Sequence, residues 1–162
     1  MKMFKLFKKQ GFSVSAVVDG QLIPITAVKD DVFSEKMLGD GYAIKPKNGK
    51  ICAPVAGTIT TVFPTKHAIG ITTKDNLEIL LHLGLDTVNL KGKPFKVMVK
   101  EGDVVKQGDQ LAEMDLEMIT AAGYDNTIIV VYTNMDLIKS VSEVAPGNVT
   151  HGKEVQTIKL NG

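Results

Sequence analysis

Arginine is absent from this 162-residue chain: all 19 of its basic residues are lysines. Tryptophan is absent too, and cysteine occurs once, as Cys52. Without arginine the chain has no guanidinium fork of its own for bidentate contact with phosphate or guanine. With only nine aromatic residues besides, and no basic face in the body of the chain, nucleic-acid binding is not expected. A single cysteine excludes an internal disulfide framework and suits a reducing cytosol. No apolar run approaches the roughly 20 residues of a membrane-spanning helix. The lysines at the start have no apolar stretch behind them, unlike a secretory signal. A length of 162 residues fits one domain with a core that needs no staples.

The charge is unevenly placed. The first nine residues, MKMFKLFKK, hold four lysines and no acid, which leaves 15 lysines against 18 acids in residues 10–162, a net of −3. Wound at helical pitch, Met3, Phe4, Leu6 and Phe7 fall on one arc and Lys2, Lys5, Lys8 and Lys9 on the other. Such a segment can make weak, reversible contact with an anionic membrane; a disordered lysine-rich terminus is the plain alternative. We divide the chain into a basic tail, residues 1–11, and a single domain, residues 12–162.

From residue 12 onward, short β-branched or alternating runs are separated by turn residues, which predicts an all-β fold. The expected strands are Ser13–Val18, Gln21–Ile25, Tyr42–Pro46, Ile51–Ala53, Gly57–Val62, Ala68–Thr72, Glu78–Leu83, Phe95–Val99, Gln110–Asp115, Ile128–Thr133 and Glu154–Leu160. Many short strands at this spacing point to an antiparallel sandwich or barrel. Short helical turns fit Val32–Leu38 and Leu116–Ala122. There is also an internal echo: VSAVVDGQLIPI from Val14 and ICAPVAGTITTV from Ile51 share apolar, Ala and Gly positions, as a duplicated strand-turn-strand unit or by coincidence. VKEGDVVKQGDQL from Val99 repeats a Gly-Asp turn and resembles the turns of biotinyl and lipoyl carrier domains. The matching EMDLEMIT lacks the lysine that would hold such a cofactor.

Of the three histidines, His67 and His82 flank a hairpin pattern, HAIGITTKDNLEILLH. A two-residue turn at Lys74-Asp75 sets His67 opposite His82 on one face; a turn one position later sets His67 opposite Leu83. Two imidazoles on one face, beside Gly84 and with Thr65 close by, fit an incomplete zinc set needing a third ligand from Asp30, Asp86, water or a partner. They also fit a phosphohistidine site, in which one ring attacks a phosphoryl group and the other steadies its oxygens. The bland alternative is a pair of satisfied core histidines. His151, between Thr150 and Gly152, reads as a solvated loop residue.

The stretches VFSEKMLGDGYAIKP, APVAGTI, FPTKHAIGI and EILLHLGLDTVNLKG closely resemble the enzyme IIA domain of the glucose class of the bacterial sugar phosphotransferase system, from about Val14 to Leu160. The resemblance implies an antiparallel β-sandwich in which His82 accepts a phosphoryl group on Nε2 from the phosphocarrier HPr and passes it to a cysteine on the IIB domain of a membrane sugar permease. It implies that His67 supports the phosphoryl group and is oriented by Thr65. Asp30 and Asp86 match flanking carboxylates, and Val32, Phe33, Met37, Leu38 and Phe63 match an apolar docking rim. The chain departs from the family pattern at Asp31, where the rim usually has an apolar or proline residue, at Val17, which replaces a turn proline, and at Ile128 or Ile129, where a later strand often opens with proline.

The expected protein is cytoplasmic, peripherally associated with a membrane permease, monomeric by default, and in need of no cofactor, because in-line transfer between positioned nucleophiles requires no metal. The alternative within the same family is a regulator whose phosphorylation state controls other proteins, with zinc at His67 and His82 in the presence of a partner. Chemistry adds two expectations. A phosphohistidine beside two carboxylates is strongly negative, so the missing arginine should come from the partner. His82 should donate from Nδ1 to a backbone carbonyl near Gly84.

Overall fold

The computed structural model describes residues 11–162. Fourteen strands run through them: β1 (Gly11–Ser15), β2 (Gly20–Pro24), β3 (Gly41–Pro46), β4 (Lys50–Cys52), β5 (Gly57–Val62), β6 (Ala68–Thr72), β7 (Glu78–Leu83), β8 (Phe95–Val97), β9 (Val104–Val105), β10 (Gln110–Met114), β11 (Ile128–Tyr132), β12 (Ile138–Val141), β13 (Gly147–Val149) and β14 (Glu154–Leu160). Two short helices, α1 (Asp31–Ser34) and α2 (Leu116–Ala121), and three 3₁₀ turns complete the described elements. The fold is an antiparallel β-sandwich. An eight-stranded sheet, ordered β13-β2-β3-β11-β7-β6-β5-β9, packs over two three-stranded sheets, β1-β14-β12 and β4-β10-β8. The amphipathic reading of residues 1–9 lies outside the described residues.

The main core lies between these sheets and takes residues from all three, among them Val14, Ile44, Ile51, Leu81, Leu111 and Ile158. A second, smaller cluster covers the opposite face of the large sheet: Ile23, Ala43, Ile129 and Val131 on the strands, roofed by Ile25, Val28, Phe33 and Leu85. All five residues of β11 are buried; alternation sends Ile128, Val130 and Tyr132 to one cluster and Ile129 and Val131 to the other.

The internal echo is a structural duplication. The corner at Ser15–Val17 and the corner at Cys52–Pro54 bond each other reciprocally: Ser15 N–H donates to Pro54 O (3.0 Å) and Cys52 N–H to Val17 O (2.7 Å). Each corner alanine then makes the same pair of bonds to a glycine turn. Ala16 N–H donates to Lys153 O and Gly152 N–H to Ala16 O (2.8 and 3.0 Å); Ala53 N–H donates to Asp109 O and Gly108 N–H to Ala53 O (both 2.8 Å). The strands follow suit, β1 and β2 pairing with β14 and β13 as β4 and β5 pair with β10 and β9.

Differences from the sequence reading have local causes. The first expected strand ends at Ser15 because Ala16–Val18 turn the corner. Ile25 leaves its strand for a 3₁₀ turn that Pro24 precedes. The helix expected over Val32–Leu38 is α1 alone, followed at Lys36 by a left-handed residue (φ 57°). The β6–β7 hairpin has a three-residue loop, Lys74–Asn76, closed by Thr73 N–H to Leu77 O (2.9 Å), with Asn76 left-handed at φ 69°. Ala68 therefore faces His82, and His67 falls opposite Leu83, the later of the two registers.

Gln156 joins the small sheet to the large one. Its Oε1 accepts from Tyr132 Oη (2.7 Å), and its Nε2 lies 3.0 Å from both Gly41 O and Ser142 O. Gln156→Leu would strand two buried polar partners, Tyr132 Oη and Gly41 O, so we expect a loss of about 2–3 kcal/mol in unfolding free energy. Urea denaturation checks this; an unchanged midpoint would deny the network a stabilising role.

Candidate active site

On β7, Ile79, Leu81 and Leu83 point into the main core, so alternation turns His82 to the opposite face. There it stands between its ladder neighbours Ala68 on β6 and Ile129 on β11. Phe33 of α1 leans over the ring, with centroids 5.0 Å apart and planes tilted by 58°. The second hydrophobic cluster is thus both the floor of the site and the seat of α1, whose N-cap is Asp30: its Oδ1 accepts from Val32 N–H at 3.0 Å.

The chain turns sharply after β7. Gly84 has φ +90°, and a Cβ there would lie 2.5 Å from Thr87 Cγ2, so the position requires glycine. The turn brings the Gly84 carbonyl back to His82, 2.6 Å from Nδ1. A carbonyl can only accept, so Nδ1 carries the proton and Nε2 keeps its lone pair. This is the donation expected from the sequence.

His67 precedes β6, where the ladder no longer dictates which face a side chain takes. Lys66, left-handed at φ 59°, swings the chain, and the His67 carbonyl accepts from Leu83 N–H (2.7 Å). The ring meets His82 nearly edge-on, with centroids 5.2 Å apart and planes at 77°. Thr65 Oγ1 lies 2.6 Å from His67 Nδ1, and Phe63 sets its ring against His67 at 5.3 Å. His67, His82, Thr65, Gly84, Phe33 and Phe63 therefore form one constellation, although the register that gathers them is not the one that places the histidines directly opposite.

A model of the family "phosphoenolpyruvate-dependent sugar phosphotransferase system, EIIA 1" matches residues 12–138. The chain belongs to this family. It is 49% identical over 154 residues to the glucose-specific EIICBA component of Streptococcus pneumoniae, covering 95% of this chain and 21% of that protein. It thus spans about a fifth of that relative's length. With the glucose-specific EIIA component of Halalkalibacterium halodurans it shares 42% identity over 99% of this chain and 98% of that one. The solved structure of glucose permease IIA from Mycoplasma capricolum superposes with a TM-score of 0.84 at 41% identity, covering 93% of this chain and 97% of that one. As an EIIA-family member the chain is a phosphotransferase component of the sugar phosphotransferase system.

The apolar residues expected to form a rim differ in exposure in this EIIA chain. Val32 (43% exposed), Leu38 (41%), Met37 (69%) and Phe63 (37%) are open to solvent, whereas Phe33 is buried. Val88, 45% exposed and two residues beyond Asp86, is an apolar surface residue the sequence reading passed over. Its signal was an uncovered valine in a turn beside a motif already singled out. Asp86 itself is exposed and left-handed (φ 59°). Among the described residues no three His, Cys, Asp or Glu side chains form a group that could hold a metal ion, and no helix is long and apolar enough to cross a membrane. His151 stands apart from this constellation and is not simply solvated: its N–H and Nδ1 both lie 2.8 Å from Asp19 Oδ1. Chiefly through that backbone N–H, they hold the Asp19 carboxyl down at about 2.

Burial pushes both site histidines below the ordinary value of 6.5, and the charge of His82 adds to the effect at His67. At His82 three influences oppose burial: the Gly84 hydrogen bond, then the charges of Asp30 and Asp86. A lowered pKa keeps the ring neutral down to lower pH, so Nε2 remains free throughout the neutral range. NMR titration should give His82 a midpoint below 6.5. Asp30→Asn and Asp86→Asn should each lower it further, since each removes a negative charge that favours the proton. A rise in either variant would contradict the electrostatic reading.

Proposed function

We propose that His82 Nε2 takes a phosphoryl group from phospho-HPr and delivers it to a cysteine of the IIB domain of a sugar permease. The observation that carries this reading is the 2.6 Å contact from His82 Nδ1 to Gly84 O, which leaves Nε2 as the nucleophile. In the first step the phosphorus–nitrogen bond of the donor breaks as a new one forms to Nε2. The His82 ring becomes cationic, and its Nδ1–H, now more acidic, bonds the Gly84 carbonyl more strongly. In the second step a cysteine thiolate displaces the ring, which returns to its neutral form.

His67 acts beside it. With Thr65 Oγ1–H donating to Nδ1, the His67 proton sits on Nε2 and can bond a phosphoryl oxygen. The charge that Asp30, Asp86 and the phosphoryl group bring together is balanced by an arginine of the partner, because this chain has none. Val32, Met37, Leu38 and Phe63 form the surface on which HPr and IIB dock in turn, with Asp31 tuning the choice between partners, while the buried Phe33 backs His82. A IIB partner is supported by the streptococcal relative, whose name joins IIC, IIB and IIA in one component. Residues 12–162 serve as one carrier unit, at work on the cytoplasmic side next to the permease. Transfer itself proceeds in line between positioned nucleophiles and calls for no cofactor. With one carboxylate from a partner, the two imidazoles would also complete a three-ligand zinc set.

Incubation with enzyme I, HPr and labelled phosphoenolpyruvate tests the roles. His82→Ala should abolish labelling, and His67→Gln should accept label but fail to pass it to IIB. Labelling that survives His82→Ala and vanishes in His67→Ala would reverse the two.

A further inference from the structure

The Nδ1 proton of His82 is only as secure as the carbonyl it faces, and that carbonyl belongs to a glycine. With no Cβ, Gly84 can rotate its peptide more freely than any other residue. Something outside the turn must hold it, and the loop that precedes β11 does so. The Gly84–Leu85 peptide accepts from His82 through its C=O and donates through its own N–H to Asp125 O (2.9 Å). One residue earlier, Gly84 N–H donates to Thr127 O (3.0 Å). Two successive amides of the turn are thus clamped by two carbonyls of one loop. That loop is closed by a carboxylate: Asp125 Oδ1 accepts from both Thr127 N–H (2.9 Å) and Thr127 Oγ1 (2.6 Å).

We propose that Asp125 is a positioning residue that fixes His82 in its Nδ1-protonated tautomer, acting through the Gly84 and Leu85 amides. This rests on the reading of His82 as the phosphoryl acceptor. The amides form a continuous chain, His82 Nδ1–H to Gly84 C=O, then Leu85 N–H to Asp125 C=O, in which each bond polarises the next. The other tautomer would set the Nδ1 lone pair against the Gly84 oxygen, so it becomes accessible only if this peptide turns away. Asp125 is exposed and has no part in the core, so its loss should loosen the clamp without opening the fold.

The test is the ¹⁵N NMR tautomer state of His82, with the single-turnover rate of acceptance from phospho-HPr, in the full chain and in Asp125→Ala, Asp125→Asn and Thr127→Val. In Asp125→Ala we expect a growing Nε2-protonated population and acceptance slowed about tenfold, the scale of losing a partner that fixes a histidine's tautomer. Asp125→Asn retains an amide oxygen able to accept both bonds and should stay near the wild type. Thr127→Val, which keeps only the N–H bond, should fall between. An unchanged tautomer in Asp125→Ala would overturn the proposal, as would an Asp125→Asn variant as impaired as the alanine. Label found away from His82 would instead refute the acceptor assignment, while the tautomer measurement would still decide the role of Asp125.

Discussion

A strand with neighbours on both edges and apolar residues on both faces can be stable only if each face is covered. β11 is such a strand: β3 and β7 satisfy its backbone, and the main core covers Ile128, Val130 and Tyr132. Ile129 and Val131 need a second cover, worth about 1.5–3 kcal/mol for each side chain taken out of water. The segment carrying Ile25, Val28 and Phe33 supplies it. A four-residue helix has no stability of its own, so α1 exists because this face must be roofed. Its placement sets Phe33 against His82 and brings Asp30 close enough to act on the ring's charge. The site is in this sense a by-product of covering one strand twice.

His82 sits where two demands oppose each other. An apolar surround favours the neutral ring, while the hydrogen bond to Gly84 and the charges of Asp30 and Asp86 favour its cation. Burial prevails in the resting protein, since the net shift is downward. The carboxylates, held at the edge of the site, also oppose a build-up of negative charge, which a chain rich in lysine but devoid of arginine cannot answer with a planar fork of its own.

Much of this was legible before the fold was known, because strand alternation is a strong signal wherever one face is buried. β5, β6, β7 and β14 lie where the alternating runs put them. β9, β12 and β13 went unread: β9 has two residues between Gly-Asp turns, and β13 opens on a glycine. The duplication showed as matched Ala and Gly positions, though only the reciprocal corner bonds separate it from coincidence. The histidine pair and both hairpin registers were legible, but the choice between them was not, since three loop residues with Asn76 left-handed compete closely with two. The roof over Ile129 and Val131 left only a weak trace, because Ile25, Val28 and Phe33 follow no period that a strand or a long helix would show. Second-layer support such as Asp125 has no sequence signal, being defined by which carbonyls face which amides.

The first and last strands of the described chain lie side by side, Gly11 opposite Lys159, on a small sheet separated by the main core from the histidine face. A tether at either end would therefore leave the molecule from behind and keep clear of the rim. A linker of modest length could then present a covalently joined partner at an effective concentration of about millimolar, while a freely diffusing partner still found the same face open. The ends of the described chain and the histidine face thus lie on opposite sides of the main core.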